Sequence, residues 1–342
     1  MNIRENIPIS QLTTMRLGGN ARFVIELQKP EDVPAAYSFA KEKNLPIYIL
    51  GGGSNVIGHD QGFPGVILIN QLKGIKILQK TPSTLLLKGY GGELFDDFVA
   101  FSTDQGFSGI EALSAIPGTL GAAPVQNIGA YGQEISQVLE SVEAYDSQTN
   151  TIQKIPTPQM DLSYRRSIFN HGPAAGRFFI ISITVKLHKT PLAPPFYTSL
   201  QTYIDTHSVT DFSPQSIRKI VTKIRATKLP DPTTIASAGS FFKNVYLKTP
   251  AEIKSAQEKG IPIWDDGKIP AGWLIEHAGL KGREFHGFRV SDQAALILIN
   301  DHANTYADLE KARTAIQDAV FQKFGLKLEQ EPVEINEKLP KS

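Results

Sequence analysis

A short apolar run, Ile47 to Leu50, ends in the turn Gly51-Gly-Gly-Ser-Asn55, and a second apolar run, Val66 to Asn70, follows. Runs of this kind bounded by glycine read as buried strands. Ahead of them, Pro30 to Asn44 places Val33, Tyr37 and Ala40 on one helical face after a proline start, with Asn44 as a stop. Helix, strand, glycine turn and strand together make an α/β unit whose loop lies at the carboxyl end of the strand, where such sheets bind ligands. The turn is not a P-loop, because no lysine and hydroxyl residue follow its last glycine, and no G-x-G-x-x-G opens a helix. It is either a plain turn between strands or a cluster of backbone amides, with Ser54 and Asn55, suited to a diphosphate.

From Leu85 to about Leu187 the apolar pattern alternates more, and Phe95, Phe98 and Phe101 or Ser102 mark a helix, giving a mixed α+β region. It holds a second loop of small residues, Ile116-Pro-Gly-Thr-Leu-Gly-Ala-Ala-Pro124, running into Gln126-Asn-Ile-Gly-Ala-Tyr-Gly132. Two such loops in one region suggest one cofactor, for which the candidate holders are Gly51, Gly52, Gly53, Ser54, Asn55, Pro117, Gly118, Asn127, Gly129, Ala130, Tyr131 and Arg225. His188 to Tyr197 carries Pro191, Pro194 and Pro195 and reads as a surface loop or hinge. Ser213 and Pro214 then start a helix with Ile217, Ile220, Val221 and Ile224 inside, and Thr305-x-x-Asp308 opens a last helix that stops at Gly325. The divisions expected are 1–70, 71–220 and 221–325, with the tail 326–342 packing near the site.

Several function classes are excluded by what the chain lacks. Its 342 residues contain no cysteine, so disulfides, thiolate metal sites and cysteine nucleophiles are out. The seven histidines show no metal-ligand spacing, and no metal is expected. Lys and Arg total 35 against 34 for Asp and Glu, which gives no general attraction to nucleic acid or an anionic membrane. The N-terminus lacks a signal-peptide core, and the strongest apolar run, Phe178 to Val185, is interrupted by Ser182 and Thr184.

Chemistry concentrates in three places. Ser237 to Asn244 crowds a hydroxyl, an amide and an ammonium around Gly239, Phe241 and Phe242. Ser240 held by those two aromatics is either a proton donor or the cap of a turn. Arg165 and Arg166 precede the apolar pair Ile168 and Phe169. If one of them is drawn inward it needs an anionic partner, which Asp161, a ligand carboxylate or the distant Glu331 could supply; otherwise both are solvated. Arg225 and Lys228 precede Leu229-Pro-Asp-Pro232, and serve either phosphate or the helix dipole.

Taken together these segments resemble the UDP-N-acetylenolpyruvoylglucosamine reductase family over nearly the whole chain. The resemblance runs from Thr13-Thr-Met-Arg-Leu-Gly-Gly-Asn-Ala21 through Leu50-Gly-Gly-Gly-Ser-Asn55, Ile116-Pro-Gly118, Gln126-Asn-Ile-Gly-Ala-Tyr-Gly132 and Tyr164-Arg165. It continues with Arg225-x-x-Lys-Leu-Pro-Asp-Pro232, Ala238-Gly-Ser-Phe-Phe-Lys-Asn244, Ala271-Gly-Trp-Leu-Ile275 and Leu328-Glu-Gln-Glu331. It implies an α+β fold of the vanillyl-alcohol oxidase and p-cresol methylhydroxylase type, two subdomains holding FAD non-covalently and a C-terminal α+β domain covering substrate. It further implies NADPH as donor, reduction of the enolpyruvyl sugar nucleotide to UDP-N-acetylmuramate for peptidoglycan, and a monomer in a bacterial cytoplasm. The roles it implies are Arg165 for enolate stabilisation, Ser240 as proton donor and Glu331 as the acid that completes the pair. Tyr197, Lys228 and Asn244 match its substrate-binding positions, Tyr197 as the mobile tyrosine of the type I form. Arg166, Val245, Ser291, Val333 and Trp264 depart from the family pattern. An oxidase of the same fold is the alternative; the loop offers no histidine for a covalent flavin, the nearest being His59.

Overall fold

The computed structural model describes residues 1–247, 249–264 and 267–335. The α/β unit forms as its pattern predicts. Helix α1 (Asp32–Glu42) buries Val33, Ala36 and Ala40 against a sheet in which Ile47–Leu50 and Asn20–Leu27 both pair in parallel with Phe63–Asn70. Asn2–Pro8 closes the sheet by antiparallel pairing with Asn20–Leu27. The glycine turn therefore leaves the carboxyl end of a strand.

The middle layer is a five-stranded antiparallel sheet in the order Thr151–Pro156, Leu139–Asp146, Phe178–His188, Thr84–Tyr90, Ile75–Lys80. Helix α2 (Phe95–Asp104) covers it, burying Phe95, Phe98 and Ser102, so the inner face turns through Ser102, while Phe101 is only partly covered. Tyr145, Phe179 and Ile181 of this sheet share a core with Val33, Ile25 and Leu68 of the first layer, which locks the two layers together.

The proline-rich stretch is a loop, as expected. It is followed by a helix that the sequence reading lacks, α3 (Thr198–Thr206), which buries Leu200 and Ile204 against α4 (Pro214–Lys228). Ser213 caps α4 by accepting from the Ser216 N–H, and Ile217, Ile220, Val221 and Ile224 form its inner face. Helix α4 is continuous across the division expected after residue 220 and ends at Lys228.

In the last third, Ser237–Ser240, Ile297–Asn300, Phe288–Val290 and Glu284–Phe285 form an antiparallel sheet in that order. Helices α5 (Pro250–Glu258), α6 (Ala271–His277) and α7 (Tyr306–Phe324) contribute to the core around it. The second strand of this sheet begins only at Ile297, because Ser291 accepts from the N–H groups of Gln293 and Ala294 and turns the chain first. The Thr305 hydroxyl caps α7 by accepting from the Asp308 N–H, and Gly325 ends it at φ +74. The tail returns across the molecule: Val333–Ile335 pairs in parallel with Val56–Gly58, just beyond the glycine turn. Residues 336–342, part of the tail expected near the site, lie outside the described residues.

Candidate functional site

The two small-residue loops meet face to face. A Cβ on Gly52 would lie 2.8 Å from Gly118 Cα, one on Gly51 2.8 Å from Thr119 Oγ1, and one on Gly53 2.0 Å from the Leu12 carbonyl. Only hydrogen fits at these positions, and Gly53 also sits at φ +66, where a side chain is strained. Ser54 Oγ donates to the Pro117 carbonyl (3.2 Å) and Asn55 Nδ2 to Gln126 Oε1 (2.8 Å). At the junction, Thr119 Oγ1 is buried with no hydrogen-bond partner. A buried hydroxyl left this way is costly unless something bound there supplies the partner.

Both loops line one cavity of about 2660 Å³. Gly51, Gly52, Gly53, Ser54, Asn55, Pro117, Gly118, Gly129, Ala130, Tyr131 and Arg225 all face it, as do Arg165, Ser240, Glu331, Tyr197, Lys228 and Asn244. Asn127 does not. Its side chain is buried within the loop, donating to Glu134 Oε2 (2.8 Å) and the Ser163 carbonyl (3.3 Å) and accepting from the Ser136 N–H (3.1 Å), so it shapes the second loop from behind.

Arg165 stands at φ +56 in a tight turn and donates from Nε to Glu331 Oε1 at 2.8 Å. The two side chains are 21% and 10% exposed, so this is a largely desolvated pair. Burial pushes the Glu331 carboxyl above its ordinary value, against the opposing pull of the Arg165 charge and hydrogen bond. Arg166 turns the other way and pairs with exposed Asp161 at 2.9 Å. Of the partners open to the two arginines, Glu331 takes one and Asp161 the other.

Ser240 ends the strand Ser237–Ser240, opposite Ile297. Phe241 and Phe242, 1% and 2% exposed, anchor the chain beyond it with ring centroids 5.0 Å apart. The Glu331 N–H donates to the Phe241 carbonyl at 2.9 Å, so the segment bearing the carboxylate is bonded to the residue after the serine. Gly239, at φ +67, has open space where a side chain would stand.

On the far wall, Arg225 donates to the Ala115 carbonyl (3.2 Å) and bonds the Tyr131 phenol, and burial pulls its pKa down. It is thus a support of the second loop as well as a cation in the wall, while Lys228 stands exposed in the last turn of α4. Tyr197 meets Tyr131 (5.7 Å, 83°) and Trp264 (6.1 Å, 85°) edge to face. Asn244 Oδ1 accepts from the Ala271 N–H at 3.1 Å, tying this wall to α6. Thr119 and Lys268 are among the lining residues that the sequence did not single out. Thr119 sits unremarked among small loop residues, and Lys268, whose Nζ lies 4.8 Å and 5.2 Å from the Tyr164 and Tyr246 ring centroids, comes from a strand too short to show a period. His59 is outside the cavity lining; it stacks on Tyr306 at 3.7 Å and bonds Glu334 Oε2 at 3.1 Å. Among the described residues no cluster of His, Asp or Glu could hold a metal, and no helix is long and apolar enough to cross a membrane.

Known proteins resemble this chain over nearly its whole length. The FAD binding domain family matches residues 21–155, and the C-terminal domain family of UDP-N-acetylenolpyruvoylglucosamine reductase matches residues 231–335. The reductase of that name from Bdellovibrio bacteriovorus is 35% identical over 337 residues, 97% of this chain and 99% of its own. That of Pseudomonas putida is 33% identical over 96% and 98% of the two chains. In fold, the crystal structure of the Thermus caldophilus UDP-N-acetylenolpyruvylglucosamine reductase superimposes with a TM-score of 0.67 at 21% identity, covering 98% of this chain and 100% of that one. The fold is therefore the α+β FAD-binding type with a C-terminal domain that the motifs imply. The chain belongs to the UDP-N-acetylenolpyruvoylglucosamine reductase family.

Proposed function

We propose that this chain is an FAD-dependent reductase that uses NADPH to convert enolpyruvyl-UDP-N-acetylglucosamine into UDP-N-acetylmuramate, a peptidoglycan precursor. The observation that carries the reading is the Arg165–Glu331 pair, 2.8 Å apart and largely buried, in the same cavity as Ser240 and both glycine loops. The loops suit FAD: their close approach leaves backbone amides and the unpartnered Thr119 hydroxyl for a diphosphate. Bound non-covalently there, FAD supplies a hydride carrier between NADPH and the enolpyruvyl group.

The protein's own part is to hold charge and deliver a proton. Hydride addition at the terminal methylene carbon leaves negative charge on the neighbouring carbon and its carboxylate. Arg165 spends Nε on Glu331, which fixes the plane of its guanidinium and leaves the terminal nitrogens for that carboxylate. Ser240, directed by the buried Phe241 and Phe242, gives its proton to the carbon bearing the ether oxygen. Serine is a weak acid, but a carbanion is so strong a base that position matters more than acidity. Lys228 provides a cation for the nucleotide diphosphate, Asn244 a side-chain amide, and Tyr197 an aromatic edge closing over the substrate.

The test is anaerobic. NADPH added to the FAD-loaded protein bleaches the flavin absorbance, and the enolpyruvyl sugar nucleotide restores it. Bleaching followed by return only in air would mark an oxidase instead, and absence of flavin binding would overturn the reading.

A further inference from the structure

Arg313 lies on α7, outside the cavity lining, yet it is bound to the segment that carries Glu331 on both sides of that residue. Its Nη1 donates to Gln330 Oε1 at 2.8 Å and to Glu334 Oε1 at 2.8 Å. Gln330 Nε2 in turn donates to the Pro332 carbonyl (2.8 Å) and to Glu334 Oε1 (3.1 Å), which closes a ring of bonds around Glu331, Pro332 and Val333. The same Glu334 carboxylate also accepts from the Tyr306 hydroxyl (2.8 Å) and bonds His59 (3.1 Å). The Arg313 side chain is 17% exposed and that of Glu334 22%, so the knot is partly desolvated.

The strap held in this way touches both halves of the site. Upstream, the Lys243 N–H donates to the Glu329 carbonyl (2.8 Å) and the Glu331 N–H to the Phe241 carbonyl (2.9 Å), beside Ser240. Downstream, the Val333 N–H donates to the Asn55 carbonyl (3.0 Å), the last residue of the glycine turn. Glu331 is thus held in a short segment with main-chain bonds at either end and one side-chain clamp across it. A carboxylate that must meet a guanidinium in one plane is sensitive to rotation of its own backbone, and the side-chain bonds joining Arg313, Gln330 and Glu334 span residues 330 to 334.

We infer that Arg313 is a positioning residue for the reduction, a clamp that sets the register of Glu331 and through it the plane of Arg165. The inference rests on the proposed roles of Arg165 and Glu331. It assigns Arg313 to the half-reaction in which substrate is reduced and not to flavin reduction by NADPH. In Arg313→Gln, flavin reduction stays within about twofold of the parent, while flavin reoxidation by the enolpyruvyl sugar nucleotide slows about tenfold or more. In a Glu331→Gln background the same substitution has almost no further effect on reoxidation, because the group it positions is already gone.

The experiment is anaerobic stopped-flow measurement of both half-reactions in the parent, Arg313→Gln, Glu331→Gln and the double variant. Gln330→Met, which removes one arm of the clamp and keeps the Arg313–Glu334 pair, is the second probe should Arg313→Gln not fold; it is expected to slow reoxidation alone, to a lesser degree. Reoxidation at the parental rate in the clamp variants, equal slowing of both half-reactions, or the same slowing with and without Glu331 would each overturn the inference. If the parent itself shows no substrate-dependent reoxidation, it is the functional reading that fails.

Discussion

Gly53 and Gly260 share a backbone conformation, φ +66 and φ +67, but not an environment. A Cβ on Gly260 meets nothing within 4 Å, whereas one on Gly53 would stand 2.0 Å from the Leu12 carbonyl and 3.0 Å from Thr13 Cα. Alanine at Gly260 therefore carries only the left-handed penalty, about 1 kcal/mol. Alanine at Gly53 carries that penalty plus a backbone overlap that must be relieved, about 1 to 3 kcal/mol more by analogy with overpacked cores. The backbone that must move is not idle. The Thr14 N–H donates to the Gly53 carbonyl (3.0 Å) and the Thr14 hydroxyl to the Ser237 carbonyl (2.5 Å), at the start of the strand that ends in Ser240. Relief at Gly53 thus displaces cofactor-loop amides and pulls on the serine strand. Urea unfolding of the apoprotein should show a loss of about 1 kcal/mol for Gly260→Ala and about 2 to 4 kcal/mol for Gly53→Ala. Titration with FAD should show parental affinity for the first and a Kd raised by about tenfold or more for the second, equivalent to about 1.4 kcal/mol. Equal losses in the two variants, or FAD binding in Gly53→Ala as tight as in the parent, would refute the packing argument.

Three further outcomes follow from the geometry. The Glu331 pKa is raised by burial, so the folded chain holds this proton more tightly than the unfolded one; the stability it contributes is present below the ordinary glutamate value and lost as pH rises through the folded value. Glu331→Gln should accordingly gain Tm relative to the parent on going from pH 4 to pH 7, and a constant Tm difference would count against that account. Asp146 is fully buried and accepts from Arg177, Gln148, Thr149 and Gln153, and the Arg177 hydrogen bond above all holds its carboxyl far below the usual range. Asp146→Asn takes the counter-charge from the partly exposed Arg177 and sets an amide donor against the Thr149 and Gln153 donors, and should cost about 1 to 3 kcal/mol in urea unfolding at pH 7, a difference that shrinks as pH falls below the ordinary aspartate value; a loss under 1 kcal/mol, of the size seen for surface pairs, would contradict it. Tyr197→Ala removes edge contacts to Tyr131 and Trp264, and should raise the Kd for the sugar nucleotide several-fold, about 1 kcal/mol, with FAD affinity unchanged; calorimetry showing FAD weakened alongside would place Tyr197 elsewhere.

The parts of this fold that were legible in the sequence are those fixed by short-range pattern. A proline start, an apolar face and a capping serine gave α4, and two apolar runs around a glycine turn gave the parallel strands that carry the first loop. Helix α3 escaped because its buried face holds only Leu200 and Ile204, too few for a period. Helix α5 escaped although Thr249 and Glu252 form a complete capping box, since it buries only Ala256 and its packing is largely decided by distant residues. At the site, Ser240 could be singled out because Phe241 and Phe242 announce an anchored strand, and their burial agrees. Asn127 could not be told from a cavity residue, because its partners Glu134, Ser136 and Ser163 are brought to it by the folded loop. Long-range partners were the hardest: the tail strand pairs with Val56–Gly58 from the opposite end of the chain, and nothing local in Gln330 to Ile335 points to Arg313.

The central claim is that Ser240 delivers the proton after hydride transfer, in a cavity where Arg165 and Glu331 hold the charge. The most direct measurement is anaerobic stopped-flow on Ser240→Ala loaded with FAD, following flavin absorbance through each half-reaction separately. The account predicts bleaching by NADPH at the parental rate and return of colour on adding the enolpyruvyl sugar nucleotide slowed by about a hundredfold to ten-thousandfold, the usual range for loss of a positioned acid. Reoxidation at the parental rate, or equal slowing of both halves, would contradict it.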